Sequence, residues 1–270
     1  LVGLIGMENA YPLGESVADV QTWADRGVRY ISFTHFGHNQ FGASSNPSSA
    51  NGDQNNDAGL SELGRSLVAA CNDAGVMVDL SHVGRRTGLE ALDLSRAPVI
   101  ASHSGARAVY DNPRNLDDAQ LQAIAGAGGV AQMVAFRSYV GDVDPAAGKA
   151  LMALRTRLGL NSGAAFQKAS PSLLDEYAVE RSQIRAAHPD VTLAQFVDHV
   201  DHAVKVVGID HVGLAGDFDG GGGVQGWDGA DESLNVTREL LTRGYEEADL
   251  AKLWGENILR VMDTVQSMAG

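Results

Sequence analysis

Residues 76–103, VMVDLSHVGRRTGLEALDLSRAPVIASH, hold two short apolar runs separated by a segment of helical period. Each run consists mainly of β-branched and small residues and ends in Ser-His, the first at His82 and the second at His103. Continuous apolar runs of this length, joined through a helix, are typical of buried parallel strands. The stretch therefore predicts a strand–helix–strand unit with a histidine at the carboxyl end of each strand.

Four more runs of the same design lie on either side of this unit, at residues 1–8, 28–35, 129–136 and 211–217. Segments of helical period alternate with the strands at residues 16–26, 60–74, 88–95, 116–127, 193–207 and 233–243. This alternation predicts an α/β fold with a parallel sheet covered on both sides. Five of the six runs end in a residue that can do chemistry: Glu8, His35, His82, His103 and Asp217.

These five strand ends favour a closed (β/α)8 TIM barrel of the metal-dependent hydrolase type over an open sheet. An open sheet would spread the five side chains over ~20 Å, at ~4.8 Å per strand, whereas a barrel gathers them on one rim. Only six strands are visible, so we expect the first strands to be missing from this chain. We expect residues 1–270 to form one barrel domain with a helical insertion at about 142–190.

Composition narrows the classes of function. The formal net charge of −14 opposes a phosphate backbone and no block of Lys and Arg interrupts it, so we expect no nucleic-acid partner. No run approaches the ~20 apolar residues of a membrane span, so we expect no transmembrane segment and a soluble protein, cytoplasmic or periplasmic. The single cysteine, Cys71, lies in a helical apolar pattern and is predicted to be a core residue.

Three of the strand-end residues predict a metal centre. Glu8, His82 and His103 supply the hard oxygen and borderline nitrogen ligands that suit Zn²⁺. One histidine at a strand end is more often structural than a ligand, but several on the same rim as two carboxylates reverse that balance. Nucleophilic catalysis fits less well, because the chain has no G-x-S-x-G elbow.

Other patterns imitate sites without their full chemistry. The H-x-D pairs that begin at His188 and His199 follow a helix or lie inside one, and both are expected at the surface. Residues 53–57 imitate the start of an EF-hand loop, but Ala58 stands where that loop needs glycine. The four glycines at 220–223 are expected to be mobile.

The motifs taken together resemble the membrane (renal) dipeptidase family of zinc peptidases, peptidase family M19, in a bacterial form that is incomplete at its N-terminus. Their order and spacing both match, including 21 positions between His82 and His103 and 11 between His103 and Arg114. The resemblance extends from Glu8 to residues 254–257, nearly the whole chain. The matching motifs are GME at 6–8, FTH at 33–35, DLSH at 79–82, ASHSGAR at 101–107, PRNL at 113–116 and GDFDG at 216–220.

The resemblance implies two Zn²⁺ ions per complete site. Glu8 is similar to the carboxylate that bridges the two ions, and His82 and His103 are similar to the other protein ligands of the second ion. The family's first ion also takes an H-x-D pair from the first barrel strand, and no such strand precedes Leu1. We therefore expect half of the metal site to lie upstream, and a chain without it to be inactive or severely impaired.

The resemblance also implies catalytic and substrate-binding roles. His35 is similar to the histidine that binds the substrate carbonyl oxygen, and Asp217 to the acid/base residue near the scissile nitrogen. Arg114 matches the arginine that pairs with the C-terminal carboxylate of a dipeptide. The implied activity is that of a zinc-dependent dipeptidase, which uses a metal-bridging hydroxide on small dipeptides, mixed L-D dipeptides included.

Several alternatives stay open. An amide or lactam hydrolase would keep the metal ligands and have little use for Arg114, whereas a catalytically inactive homologue would lack the upstream H-x-D pair. The family usually ends one strand in Asn-Phe-Tyr, and this chain has Ala135-Phe136-Arg137 with Tyr139 two residues on. Arg137 therefore either alters specificity or is solvated. A homodimer is compatible with the sequence.

Overall fold

The computed structural model describes residues 3–188 and 190–270, and one parallel sheet forms its centre. The strands lie in the sheet in chain order, and each neighbouring pair is parallel. They are β1 (Ile5–Met7), β2 (Val28–Ser32), β3 (Met77–Asp79), β4 (Ile100–Ser104), β5 (Val130–Val134) and β6 (Val212–Ala215). Within the described residues β1 and β6 do not pair with each other, so the sheet is a curled half-barrel.

Helices connect the strands and cover the sheet. Those between β1 and β5 are α1 (Val20–Asp25), α2 (Glu62–Asp73), α3 (Arg85–Leu94) and α4 (Asp118–Gly126). Those between β5 and β6 are α5 (Arg137–Val140), α6 (Pro145–Leu158), α7 (Gly163–Lys168), α8 (Pro171–Ala186) and α9 (Leu193–Val207). The C-terminal helices are α10 (Ser233–Thr242), α11 (Glu247–Ala251) and α12 (Asn257–Ser267), with a π-helical turn at Lys252–Glu256 between the last two.

The predicted α/β alternation is confirmed, with a strand inside each of the six apolar runs. Five of the six strands end one to three residues before the predicted boundaries, whereas β4 continues one residue past His103, to Ser104. The first two residues of the run at 1–8 lie outside the described part of the chain. The closed eight-stranded barrel is not seen in the described residues, since the sheet curls but does not close.

The two faces of the sheet pack differently. Val78 and Ala101, which point outward, belong to the large core shared with the covering helices. Met77 and Ile100, one position earlier on the same strands, point to the concave side and pack against Val261 of α12. The alternation of strand side chains thus buries both faces, and the C-terminal helix takes part of the space inside the half-barrel.

The loop at 37–59 caps the N-terminus of α3, the helix that begins shortly after His82. Gly84 at the N-cap of this helix has no side chain with which to cap it. Asp57 supplies that group from the loop, since its Oδ1 accepts a 2.7 Å hydrogen bond from Thr87 Oγ1 and its Oδ2 accepts one from the backbone N–H of Arg86. A carboxylate at a helix N-terminus satisfies free N–H groups and complements the helix dipole. The acidic residues of the EF-hand imitation therefore have a structural use.

Helices α6 to α8 share a small separate core, centred on Leu154, Leu160 and Tyr177. Two arginines of α8, Arg181 and Arg185, both contact Asp228 in the segment after β6. Among the described helices, none is long and apolar enough to cross a membrane.

Candidate metal centre

Glu8, His82 and His103 come together at the carboxyl ends of β1, β3 and β4. The Oε1 atom of Glu8 lies 3.0 Å from His82 Nε2 and 3.2 Å from His103 Nε2, and the two Nε2 atoms are 2.9 Å apart. In tetrahedral zinc sites with bonds of ~2.0–2.1 Å, neighbouring ligand atoms are roughly 3.3 Å apart. The triangle of donor atoms is therefore close to the size that a zinc ion requires.

His35 lies at the edge of the same cluster. Its Nε2 is 3.8 Å from Glu8 Oε1, and its ring centroid is 4.3 Å from that of His82. The ligand atoms of Glu8, His35 and His82 lie within 4.8 Å of one another, so this trio could also hold an ion. We favour the trio with His103 because its atoms are closer together, which leaves His35 beside the metal position.

The surroundings favour the charged form of the Glu8 carboxylate and the neutral form of the His82 and His35 imidazoles. Close contacts with the imidazoles of His103 and His82 hold the pKa of Glu8 far below its usual range. Burial lowers the pKa of His82 to about 3, although Glu8 opposes that change. Burial likewise lowers the pKa of His35. Metal ions bind carboxylates and neutral imidazoles, so Glu8 and His82 are in the forms that bind a metal ion near neutral pH.

The backbone at His82 has φ of +67°, a left-handed conformation that is uncommon for residues other than glycine. Its carbonyl oxygen accepts hydrogen bonds from Thr34 Oγ1 at 3.1 Å and from the backbone N–H of Ser45 at 2.8 Å. Contacts from two other segments thus hold the turn that points the imidazole at Glu8. Its Nδ1 is buried without a hydrogen-bond partner among the described residues.

Arg114 is 2% exposed and lies beside the metal cluster. Its Nη2 donates a 3.1 Å hydrogen bond to the carbonyl oxygen of His103, and its guanidinium carbon lies 5.1 Å from the ring centroid of Tyr139. No carboxylate of the described chain forms an ion pair with it, and its Nε is buried without a partner. Burial lowers the pKa of this guanidinium, as expected for a cation without a matching anion.

Asp217 follows β6 and lines a cavity of about 350 Å³ inside the half-barrel, together with His103 and Tyr30. Burial raises the pKa of its carboxyl group, and the charge of Glu8 raises it further. The adjoining glycines are not free, because Gly222 N–H donates to the carbonyl of Asp217 and Gly223 N–H donates to that of Ala135. These two hydrogen bonds connect the glycine tract to Asp217 and to the end of β5.

Arg137 is not solvated, since its side chain is 12% exposed and forms ion pairs with two carboxylates. Its Nε donates to the Asp190 carboxylate at 2.9 Å and its Nη2 to Asp228 at 3.0 Å. Arg181 and Arg185 of α8 contact the same Asp228. This ion cluster joins the end of β5, the insertion and the segment that follows Asp217.

Two further expectations about histidines need correction. His199 was expected at the surface, yet it is 1% exposed. Its Nδ1 accepts a 2.9 Å hydrogen bond from the backbone N–H of Ala106, and its Nε2 lies 3.2 Å from the carbonyl of Val140. His188 is partly covered and pairs with Asp144 at 2.8 Å. Cys71 is buried, as predicted.

Sequence reasoning gave no role to Asp79 and Ser102, which lie behind His103. Ser102 Oγ is 2.6 Å from Asp79 Oδ2 and 2.8 Å from His103 Nδ1. A sequence signal was available, since both polar residues stand at inward-facing positions of otherwise apolar strands. A polar side chain buried on such a face requires a partner.

Comparison with families of known proteins gives one match over the whole chain. The model of the family described as membrane dipeptidase (peptidase family M19) matches residues 1–270. The curated dipeptidase tcpJ of Claviceps purpurea is 31% identical over 267 residues, and dipeptidase aclJ of Aspergillus oryzae is 29% identical over 267 residues. These alignments cover 98% of this chain and 51% and 52% of the relatives, so the chain spans about half their length.

Solved structures share the fold. The probable dipeptidase PvdM from Pseudomonas aeruginosa is 40% identical with a TM-score of 0.81, over 98% of this chain and 70% of that one. A metallo peptidase from Rhodobacter sphaeroides, liganded with a phosphinate mimic of the dipeptide L-Ala-D-Ala, is 25% identical with a TM-score of 0.71. That alignment covers 97% of this chain and 63% of the other.

Proposed function

Because the chain belongs to the membrane dipeptidase family, peptidase family M19, we propose that it is part of a zinc-dependent dipeptidase. Its substrates would be short peptides with a free C-terminal carboxylate. The neighbour from Rhodobacter sphaeroides, liganded with a mimic of L-Ala-D-Ala, supports the inclusion of dipeptides with a D-residue at the C-terminal side.

The observation that carries this proposal is the buried, unpaired guanidinium of Arg114 beside the metal cluster. A buried charge without a partner is costly, so a protein that keeps one gains from an anion that arrives with the substrate. The planar fork of arginine matches a carboxylate. Such a fork, hydrogen-bonded to the backbone carbonyl of the ligand His103, would limit substrates to those that end just past the scissile bond.

Glu8, His82 and His103 would hold a Zn²⁺ ion, and a second ion would need ligands in addition to these three. When bound, zinc supplies a Lewis acid and a water that loses a proton near neutral pH. His35, beside the cluster, would donate a hydrogen bond to the substrate carbonyl oxygen as negative charge develops there. Asp217, with its raised pKa, would take up a proton and deliver it to the departing amine.

We further propose that the half-barrel is part of a complete (β/α)8 barrel. The order β1 to β6 and the free outer edges of β1 and β6 support this, since two more strands between those edges would close the ring. In this arrangement residues 1–270 form most of one domain, and the helices at 142–190 are an insertion in it. A crystal structure of the full-length protein with an open sheet would contradict the proposal.

The substrate proposal is tested on the full-length protein with Arg114→Met and a pair of substrates. The native protein should cleave L-Ala-D-Ala and discriminate strongly against its C-terminal amide. Arg114→Met should raise KM for the free dipeptide about 100-fold, the loss expected for charge-assisted hydrogen bonds to a carboxylate, and should change amide cleavage little.

Arg243→Met, immediately after α10, is the control for removing a partly buried guanidinium and should leave KM unchanged. If Arg114→Met cleaved the dipeptide with native KM, the carboxylate-binding role would be wrong, and an amide or lactam hydrolase would fit better. Full-length protein that binds zinc but cleaves no dipeptide would overturn the activity itself.

A further inference from the structure

A chain of hydrogen bonds leads from the buried carboxylate of Asp79 to the ring of His103. Ser102 Oγ donates to Asp79 Oδ2 at 2.6 Å, and the same oxygen lies 2.8 Å from His103 Nδ1. Asp79 is 1% exposed and Ser102 is 8% exposed. These hydrogen bonds reach the imidazole at Nδ1, whereas its other nitrogen, Nε2, faces Glu8.

The chemistry of the three groups fixes the direction of the protons. An ionised carboxylate only accepts hydrogen bonds, so the single hydroxyl proton of Ser102 must point at Asp79. The lone pairs of Ser102 Oγ then remain for His103, whose Nδ1 must carry a proton in order to donate. A neutral imidazole with a proton on Nδ1 has a bare Nε2.

We propose that Asp79 and Ser102 are positioning residues that set the tautomer of His103, so that its Nε2 is free to bind a metal ion. The effect on metal binding rests on the proposed metal centre. The tautomer of His103, in contrast, is also a property of the metal-free protein. Partners behind a ligand histidine are a general device for fixing ring orientation and basicity.

Asp79 also joins the ends of β3 and β4, and this must be separated from its role toward His103. Its Oδ1 accepts hydrogen bonds from the backbone N–H of Ser81 at 3.0 Å and of Ser102 at 2.9 Å. The ladder between the two strands has one register pair, Asp79 with Ile100, so the bond from Ser102 continues the connection where the ladder stops. A purely structural Asp79 would need these two bonds and no hydroxyl.

His82 provides an internal comparison. Its Nδ1 has no hydrogen-bond partner among the described residues, and its ring is held by contacts with neighbouring rings, with centroids 4.3 Å away at His35 and 4.9 Å away at His103. The serine that precedes it, Ser81, accepts a 2.9 Å hydrogen bond from the backbone N–H of His103 and does not bind the ring of His82. The hydrogen bonds from Asp79 through Ser102 therefore reach His103 and have no counterpart at His82 in the described part of the chain.

Ser102→Ala and Asp79→Asn separate the two roles. Ser102→Ala keeps both backbone hydrogen bonds to Asp79 and removes only the hydroxyl bridge. In Asp79→Asn, with the amide nitrogen toward Ser102, the amide donates to the hydroxyl, the hydroxyl then donates to His103 Nδ1, and the proton of the ring moves to Nε2. Asp79→Asn should consequently reverse the tautomer, whereas Ser102→Ala should only release it.

Two measurements on the purified protein test this. Nitrogen-15 NMR of the imidazoles, in metal-free protein at pH 8, should find His103 protonated on Nδ1 in the native chain and on Nε2 in Asp79→Asn. Zinc affinity, measured by competition with a chromophoric chelator, should fall 10–100-fold in Ser102→Ala and further in Asp79→Asn. Ser102→Thr, which keeps the hydroxyl, should restore native affinity.

Ser104→Ala is the matched control, because it removes a buried hydroxyl of the same strand that does not touch the ring. It should lower stability about as much as Ser102→Ala and leave zinc affinity and tautomer unchanged. Native His103 with its proton on Nε2, or native zinc affinity in both Ser102→Ala and Asp79→Asn, would overturn the proposal. If native protein bound no zinc, the proposed metal centre would fail, while the NMR comparison would still decide the tautomer.

Discussion

At the scale of single residues, the candidate site depends on Glu8. Its Oε1 is within 3.2 Å of both ligand histidines, and its side chain is 47% exposed whereas that of His82 is 4% exposed. The histidines thus belong to the packed interior, and the carboxylate reaches them from the edge strand. Replacing Glu8 should therefore affect metal binding far more than folding.

Glu8→Gln should lower zinc affinity at least about 100-fold, since the loss of a direct ligand exceeds the 10–100-fold effect of removing an outer partner. Its melting temperature without metal should stay within a few degrees of native. Chelator competition and thermal melts in EDTA are the measurements. Glu62→Gln, an exposed carboxylate at the start of α2, is the control, and equal zinc affinities in the two variants would remove Glu8 from the metal site.

The position of His35 is compatible with its predicted role in binding the substrate carbonyl oxygen. It was assigned to the substrate carbonyl through the family resemblance, and it lies 3.8 Å from Glu8, outside the tighter triangle. The phenyl ring of Phe36 is half-exposed and stands edge-on to His35, with centroids 4.5 Å apart. An apolar neighbour lowers the local dielectric constant, which strengthens any hydrogen bond that His35 makes to a substrate.

At the scale of elements, the packing of β1 against β2 requires a glycine at position 6. A Cβ at Gly6 would lie 2.0 Å from Cζ and 2.4 Å from the hydroxyl oxygen of Tyr30, on the adjacent strand. The aromatic ring occupies the space that any other side chain at position 6 would need. Tyr30 itself is enclosed, and burial raises the pKa of its hydroxyl to about 12.

Gly6→Ala should accordingly destabilise the protein by about 1–3 kcal/mol, the usual cost of forcing extra volume into a packed region. Gly148→Ala makes the matched comparison, because a Cβ at that helical position meets nothing within 4 Å. It should stabilise α6 by about 0.5–1 kcal/mol. Urea unfolding of both variants gives the free energies, and a Gly6→Ala protein as stable as native would show that the ring can move aside.

The ion cluster around Asp228 connects elements that are distant in sequence. Arg137, at the start of α5, and two arginines of α8 share its carboxylate, and Arg137 also binds the backbone carbonyl of Gly223. Because Gly222 is bonded to Asp217, the position of Asp217 depends on contacts made by the insertion. The helices at 142–190 therefore help to shape the site without contributing a ligand to it.

At the scale of the whole molecule, His199 makes stability depend on pH. It joins α9 to the segments around Ala106 and Val140 through both ring nitrogens, and burial lowers its pKa below the ordinary value of about 6.5. Below pH 6.5 the unfolded chain takes up a proton that the folded chain resists. Folding stability is thus full above that pH and falls as the pH drops toward the folded-state pKa.

His199→Asn should weaken this dependence, because an amide can still accept the hydrogen bond from Ala106 but does not titrate. Between pH 7 and pH 5 the native protein should lose up to about 1.4 kcal/mol per pH unit more than the variant. Urea unfolding at several pH values measures the difference. His202→Asn, one turn further along α9 and more exposed, is the control; parallel curves for native protein and His199→Asn would contradict the assignment.

The fold was predictable where the signal was local, and the rest was not. Apolar runs such as 76–82 specify buried strands, and a capping box between Thr192 and Gln195 marks the start of α9. The curl of the sheet is a sum of twists between neighbouring strands, which no single segment encodes. Curling alone brings the ends of β1 and β4 together, so convergence of side chains did not require the closed barrel.

The same distinction holds for the site. Glu8, His82 and His103 could be proposed from their positions at strand ends, although their roles remain predictions. The partners of Arg137, at Asp190 and Asp228, are 53 and 91 positions away in the sequence, and the Ala106 partner of His199 is 93 positions away. Contacts of this range depend on the packing of whole elements. No local sequence pattern around Arg137 or His199 predicts their partners.

The left-handed turn at His82 has companions. Among the described residues, the non-glycine positions with positive φ are Asn9, His82 and Asp217, and each is a candidate site residue or adjoins one. Such conformations cost of order 1–3 kcal/mol each. Selection for thermal resistance alone would favour glycine at all three positions, yet His82 and Asp217 would then lose their side chains. At His82 and Asp217, the same substitution would thus increase thermostability and decrease activity.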